Sequence, residues 1–440
     1  MSIFAFSNQQ IMKFSELFIK ARTFLRTDYL KNIVGQAGIV FIAQLIPIIF
    51  SPFISRIYDE NALAEVTGMV SLSSIFLVFS NFKLGEAIVI EKDEYKARQL
   101  MVLIFAINVF VLLFGTLILF LFNDFFIRSF KIDHIIYFVP IFIMFYSLFG
   151  TFDAWFVRQK KFKNRAFAKI IESISYLTFA FSLYFFIGQN TYGLALGKII
   201  GIVLAVFFLI KLSQFKFPKY SWGDLKLLLV KYKEFPLHSM PSNFINVISL
   251  QILVIFLGLF YSKSEVGFFG LANMVILAPI SFVSQAVSSI YFQKIVEDIN
   301  KNNFRLAYNT FLKTFFLLTV IAIPGFIILW FFSDTIIPYV FGDNWVLTGK
   351  IAKALAPVFL IQIVVSPISS ATLISYRKIK LNAIWQYSRF IFMGIGLWVM
   401  ASIYKLDFLD FIEGYSYFTV ISYTVYFFVI FRVVKKKATN

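Results

Sequence analysis

Twelve predominantly apolar stretches, each about twenty residues long, recur along this 440-residue chain. They lie at roughly 33–55, 63–85, 100–122, 135–156, 167–187, 193–212, 238–260, 267–291, 310–332, 351–374, 382–403 and 412–432. Coiled as an α-helix, a stretch of this length spans the hydrocarbon layer of a bilayer. Inside hydrocarbon every backbone N–H and C=O needs a partner within the protein, so such a run is a helix whatever its side chains. The 60 Phe residues therefore do not argue for strands. With 60% hydrophobic residues, 15% charged residues and a mean hydropathy of +0.81, the chain lies far from a soluble domain, where about 25% is charged. Twelve spans leave only short loops, which excludes a large soluble domain.

The net charge of +18 would point to nucleic acid in a soluble protein; here it reflects basic loops. The N-terminal segment, every second connection and the tail hold 29 Lys and Arg residues, against six in the alternate connections. This bias places both termini in the cytoplasm. Residues 1–30 carry charges, and the first apolar run, from near Ile33, is long enough to span. No cleavable leader is therefore expected. Zero cysteines exclude disulfides, iron–sulfur clusters, thiolate zinc sites and cysteine nucleophiles. His134 and His238 are the only histidines and lie far apart, so no metal site or other cofactor is expected.

The chain repeats itself. Tyr58–Val66 aligns without gaps on Tyr261–Phe269, an offset of 203 residues, and Phe120–Ile127 matches Trp330–Ile337. Pro140 precedes the basic turn Lys160–Lys163 as Pro357 precedes Arg377–Lys380, at an offset of 217. These are two diverged six-helix halves. Six is even, so the repeat is parallel, about an axis along the membrane normal. The expected fold is an all-α polytopic membrane protein of about 12 transmembrane helices, in two parallel six-helix repeats around a central cavity. Its parts are a cytoplasmic segment 1–32, a first half 33–212, a linker 213–237, a second half 238–432 and a basic tail 433–440. Trp222, Leu225 and Leu227–Leu229 make the linker a short interfacial helix.

Four segments carry a family resemblance. They are the first-helix exit Ser51–Tyr58, the helix-four exit Arg158–Lys163, the opening of the second half Lys233–Leu237, and the turn Tyr339–Trp345. In this order and spacing the chain resembles the bacterial polysaccharide-export flippases, which handle O-antigen and capsule repeat units. These belong to the multidrug/oligosaccharidyl-lipid/polysaccharide exporter superfamily. One departure is that the family's glycine after the first external turn, matched by Gly267, is replaced in the first half by Ala64 and Glu65. The resemblance implies translocation of undecaprenyl-pyrophosphate-linked oligosaccharides across the bacterial inner membrane by alternating access. It implies a lipid-linked oligosaccharide as substrate and a coupling proton or sodium ion. A polysaccharide polymerase and a chain-length regulator are candidate partners. The chain is expected to act as a monomer, without nucleic acid.

Such a substrate needs a polar groove for its sugars and cations for its pyrophosphate. Ser281, Ser284, Gln285 and Ser288 share one face of helix eight, with Asn273 two turns earlier. Helix seven offers Asn243, Asn246 and Gln251; helix one offers Gln44; helix two offers Ser71 and Ser74. Each polar residue could equally serve helix packing. An ionisable residue within a span costs about 2.5–3.5 kcal/mol at a helix centre. Lys198 and Arg389 lie about 8 and about 10 Å deep at 1.5 Å per residue, and with Arg56 at the rim they are candidates for a cationic cavity wall. The plainer alternatives are snorkelling or ion pairing for the first two, and a rim pair with Asp59 or Glu60 for Arg56. Glu65, Glu86, Asp153 and Glu172 are the acids nearest membrane depth and the candidates for ion coupling. Lys169 and Glu172 are spaced to pair, and at the 217 offset Glu172 corresponds to Arg389, so a charge bridge between halves is a further expectation. Gly193, Gly197 and Gly201 form a small-residue row read as intramolecular packing. An ion-coupled exporter of small amphipathic cations is the alternative function, and would favour carboxylates in the cavity. A membrane polymerase or ligase would need a platform outside the membrane. The longest outside connection, about 333–350, carries no catalytic constellation, so no enzyme is expected.

Overall fold

The computed structural model describes residues 45–133, 135–188 and 190–439, without the side chains of Phe162, Gln285, Ser289 and Ile379. The N-terminal segment, most of the first span and Gln44 lie outside the described residues. In the first half, α1 (Leu45–Ile57), α2 (Glu60–Ser80), α4 (Glu94–Leu121), α6 (Val139–Arg158), α7 (Phe162–Ile187) and α8 (Thr191–Ser213) are the spans. The short helices α3 (Leu84–Ile90) and α5 (Asn123–Phe130) sit at their ends. A strap containing α9 (Trp222–Lys231) leads to the second half. There α10 (Met240–Phe260), α11 (Lys263–Asn300), α12 (Phe304–Phe341), α14 (Ala356–Ser375), α15 (Ile379–Trp398) and α16 (Phe408–Thr439) span, with the short α13 (Val346–Ala354) between. Ten described helices are long and apolar enough to cross a membrane. With α1, which covers the described end of the first expected span, and the more polar α15, each expected span coincides with a helix over its described residues.

The repeat is legible in the geometry of its turns. Asp59 caps α2 by accepting from the Ala62 N–H, and Ser262, at the 203 offset, caps α11 by accepting from the Glu265 N–H. The tyrosines just before these caps act alike: the Tyr58 hydroxyl donates to Ala180 O (2.7 Å) and the Tyr261 hydroxyl to Leu406 O (2.8 Å). At the 217 offset, Lys160 and Arg377 both take left-handed φ, of 57° and 55°. Each is followed by a six-residue closing bond, Lys161 N–H to Phe156 O and Lys378 N–H to Leu373 O. The sequence pairs thus mark equivalent backbone turns.

Two elements differ from the sequence reading. The stretch 333–350 is mostly helix: α12 continues through Pro338 to Phe341, leaving only Gly342–Trp345 between it and α13. The polar Ser333 that reads as a helix end is buried and donates to Gly349 O (3.0 Å). Both α11 and α12 contain 38 residues, about 57 Å at 1.5 Å per residue, well beyond the hydrocarbon layer. Their polar turns persist because Asn303 caps α12 and the pairs Lys294–Asp298 (3.0 Å) and Glu297–Lys301 (2.6 Å) line the hairpin.

The halves meet most closely at the end that is poor in Lys and Arg. There α2 and α11 pack backbone to backbone: a Cβ on Gly267 would collide with Glu60 O, and one on Gly270 with the Thr67 side chain. At the opposite, basic end the strap is tied to the first half. The Lys231 ammonium (2.5 Å) and the Tyr232 hydroxyl (2.8 Å) donate to Glu91, while Arg158 donates to the carbonyls of Ile88, Glu91 and Lys92. Burial alone would raise the Glu91 carboxyl, but Lys231, Tyr232 and the Asp93 N–H together outweigh it and hold it near 2.

Two outcomes follow. Gly267→Val forces α2 from α11 and costs about 1–3 kcal/mol of stability, as overpacking does; the thermal midpoint in detergent falls accordingly. A depressed acid stabilises above its unfolded value, so the Glu91 contribution is complete above about pH 4.5 and lost as pH falls toward 2. A spin label at Tyr220→Cys gains mobility over that window, and in Glu91→Gln it is mobile already at neutral pH.

Candidate functional site

Between the halves lies a cavity of about 460 Å³, walled by α1, α2, α6, α7 and α8 on one side and by α10 and α11 on the other. That volume falls within the range of about 300–1,000 Å³ usual for small-molecule sites. Its walls are mostly apolar. Ser51, Thr67, Ser71, Ser74, Ser173, Gln251 and Asn273 supply neutral polar groups, and Tyr146 and Tyr176 supply aromatic ones. Its charged residues are Glu172 on α7 and Lys198 on α8.

A local feature of the sequence creates this pair. Gly197 and Gly201 leave room for the α7 backbone: a Cβ on Gly197 would lie 3.0 Å from Tyr176 O, and one on Gly201 2.7 Å from Glu172 O. The glycine row therefore packs α8 on α7 within the molecule, and Gly193 faces the Tyr58 hydroxyl in the same way. Because α7 rides directly on this row, Glu172 and Tyr176, one turn apart, face Lys198 across the seam. The Lys198 ammonium stands 4.3 Å from the centre of the Tyr176 ring, a cation–π contact that stabilises it without neutralising it. Neither Glu172 nor Lys198 makes an ion pair within 4 Å among the described residues. The Lys169 ammonium lies 5.6 Å from the centre of the Phe149 ring and makes no ion pair with Glu172 within 4 Å among the described residues.

The cavity is sealed at the Lys/Arg-poor end. The Ser55 hydroxyl donates to Phe341 O (2.9 Å), the Trp345 indole N–H to Ser55 O (2.9 Å), and Arg56 to Val340 O (3.3 Å). Lys263, at the start of α11, donates to Glu65 of α2 (2.6 Å) and to Asp133 (2.8 Å). Glu65 is only 1% exposed. Two of the sequence segments that carry the resemblance, Ser51–Tyr58 and Tyr339–Trp345, thus meet here.

The candidate residues are distributed as follows. Lys198, Glu172, Gln251 and Asn273 come together in the cavity, with Ser71 and Ser74. Arg56 lies exposed at the sealed rim, bonded to a carbonyl rather than to Asp59, which caps α2, or to Glu60. Arg389 is buried between α15 and α16, 4.9 Å from the centre of the Trp385 ring and donating to the Tyr423 hydroxyl (3.0 Å). It makes no bridge to Glu172 among the described residues. Of the other acids, Glu65 is paired as above, Asp153 holds Arg165 through two bonds of 2.6 and 2.7 Å, and Glu86 meets Lys83 at 3.3 Å on the surface. Asn243 and Asn246 on α10, and Ser281, Ser284 and Ser288 on α11, are partly buried nearer the basic end, beyond the lining residues. The Gln285 side chain lies outside the described residues. Sequence reasoning passed over Tyr146, Tyr176, Ser51, Thr67 and Ser173. The available signal was Tyr176 four residues after Glu172, on one face of α7.

Removing the Lys263 ammonium takes a cation from the buried Glu65 carboxylate, a change that costs up to about 3–5 kcal/mol. Lys263→Ala should lower the thermal midpoint and speed labelling of Ser55→Cys by a membrane-impermeant maleimide. The double variant Glu65→Gln, Lys263→Gln should recover most of both.

By structure the chain is similar to the lipid II flippase MurJ in an inward closed conformation, with a TM-score of 0.70 and 16% identity over 92% of this chain and 88% of that one. It is similar to an inward-facing multidrug resistance MATE family transporter of the MOP superfamily, with a TM-score of 0.68 and 12% identity over 93% and 95%. A MOP superfamily transporter from Pyrococcus furiosus, described as having a binding pocket of reversed polarity, gives a TM-score of 0.62 and 13% identity over 94% and 97%. The fold is that of these transporters. No curated protein matches by sequence. Residues 69–349 match the sequence profile of the family described as polysaccharide biosynthesis protein, and with well over half its length inside that match, the chain belongs to this family.

Proposed function

We propose that the protein flips undecaprenyl-pyrophosphate-linked oligosaccharide repeat units across the bacterial inner membrane by alternating access, for O-antigen or capsule synthesis. The observation that carries this reading is Lys198, without an ion pair within 4 Å among the described residues, in a cavity between the two halves that is sealed at the Lys/Arg-poor end. Sugars and phosphates cannot cross hydrocarbon unaided, whereas the prenyl tail can remain in lipid. Lys198 is placed to receive the pyrophosphate as a point charge. Tyr146 and Tyr176 offer aromatic platforms, and Ser71, Ser74, Gln251 and Asn273 offer partners for sugar hydroxyls. With the basic end in the cytoplasm, the seal at the other end puts loading of the substrate on the cytoplasmic side. Glu172 is the acid positioned to exchange a proton or sodium ion: ionised, it compensates Lys198; neutral, it leaves that charge to the substrate. A polymerase and a chain-length regulator are the partners that would take up the product, and the cavity needs no second copy of the chain.

A second reading, export of small amphipathic cations, draws support from Glu172 among aromatic and aliphatic walls. Proteoliposomes carrying an undecaprenyl-pyrophosphate oligosaccharide decide between them. The flippase reading expects transport by the wild type, a loss of tenfold or more in Lys198→Ala, and loss of the response to imposed proton or sodium gradients in Glu172→Gln. Movement of a rhodamine-type cation, but not of the lipid-linked sugar, would overturn it.

A further inference from the structure

The strap between the halves has two apolar faces, and among the described residues only one of them packs against the protein. On α9, Leu225, Leu228 and Leu229 pack inward, toward the first half. At 100° per residue, Trp222, Val230 and Leu227 form a second stripe around Lys226, on the side turned away from the first. Trp222 is 75% exposed and Leu227 71%. In water such a stripe would be a liability.

Its depth is set by what holds it. The Tyr95 hydroxyl and the Gln99 side chain on α4 both donate to Lys219 O, and Arg98 reaches Lys216 O. Those α4 residues lie in the turn just before its long apolar run. Phe217, in the strap, is 72% exposed, yet its ring stands 6.3 Å from Phe105, within that run. The strap is therefore continuous with the lipid-facing surface of α4 and lies at headgroup depth. From Lys211 to Glu234 it carries six lysines against Asp224 and Glu234, and only Lys231 of these lysines pairs with an acid, Glu91, among the described residues.

We propose that the outer face of the strap, Lys216, Phe217, Lys219, Trp222, Lys226 and Leu227, is a docking surface for anionic phospholipid headgroups. The apolar side chains enter the acyl boundary, and the lysines meet the phosphates around them. The strap is the covalent link between the halves and is clamped to the first by Glu91. Docking it to the leaflet gives the first half a fixed footing against which the second can rock. This assignment rests on the membrane fold and not on the choice of substrate.

The chain contains no cysteine, so one introduced cysteine carries a unique label. The full-length protein with a spin label at Leu227→Cys is placed in liposomes of phosphatidylcholine, alone or mixed with phosphatidylglycerol. Lys301→Cys, at the tip of the α11–α12 hairpin, is the aqueous control. The label at 227 is expected to favour oxygen over a water-soluble relaxant, and more so with phosphatidylglycerol. Replacing Lys216, Lys219 and Lys226 with Gln should abolish the difference between lipids and lower co-purified phosphatidylglycerol by roughly fivefold per lysine. The same three positions as Arg should restore both. A label at 227 as water-accessible as that at 301 in both liposomes overturns the proposal, and is the result a protein partner on this face would give. Equal immersion in both lipids, unchanged by the Gln variant, overturns the anionic preference.

Discussion

The close approach of α2 and α11 is the contact on which the rest of the molecule depends. Two helices bring their backbones together in lipid where one presents small residues to the other, and Gly267 and Gly270 do this against Glu60 and Thr67. The contact lies at one end of the bundle. Two helical bodies held most tightly at one end, with Phe79 of α2 also meeting Phe244 of α10 at 5.0 Å nearer the other, enclose the cavity between them. The same approach buries Glu65, which follows Ala64, the position equivalent to Gly267, and finds an ammonium, Lys263, from the other half. What reads as a departure from the pattern is part of the seal.

The fold was legible because the bilayer restricts the options. Hydropathy alone located the helices, and the offsets 203 and 217 located the turns that the two halves share. The sequence misled where polarity changes without a change in structure. Ser333 and Pro338 read as the end of a span but sit in a helix that continues beside α13. Lys294–Asn300 read as a loop but form helix beyond the membrane, where water satisfies the side chains and the helix satisfies its own backbone.

The site was less legible, for a specific reason. Helical periodicity says which residues share a face and leaves open where that face points. The serines of α11 do share a face, yet the cavity takes Asn273 and leaves Ser281, Ser284 and Ser288 nearer the basic end. Lys198 and Arg389 look equivalent by depth. They differ because Gly197 and Gly201 hold α7 against α8 and direct Lys198 to the cleft, whereas Arg389 packs between Trp385 and Tyr423. Pseudo-equivalent positions, Glu172 and Arg389, have thus diverged: one faces the shared cleft and the other the interior of its own half.

The proposed alternating access requires a closed end strong enough to hold and weak enough to open. Moving an equilibrium from 1:99 to 99:1 takes about 5.5 kcal/mol of differential binding. The seal at the Lys/Arg-poor end consists of hydrogen bonds from Ser55, Arg56 and Trp345, each of order 1 kcal/mol net, and of the Lys263 ion-pair network. Buried pairs of that kind cost several kcal/mol to break one-sidedly but contribute little net when both partners are rehydrated together. Under the proposed alternating access, Glu65 and Lys263 would both reach water as the halves part, so the pair opposes partial opening far more than complete opening. The arrangement favours two end states over a continuum. The gap between them is of the size that a ligand bridging Lys198 and the facing wall of α10 and α11 can supply.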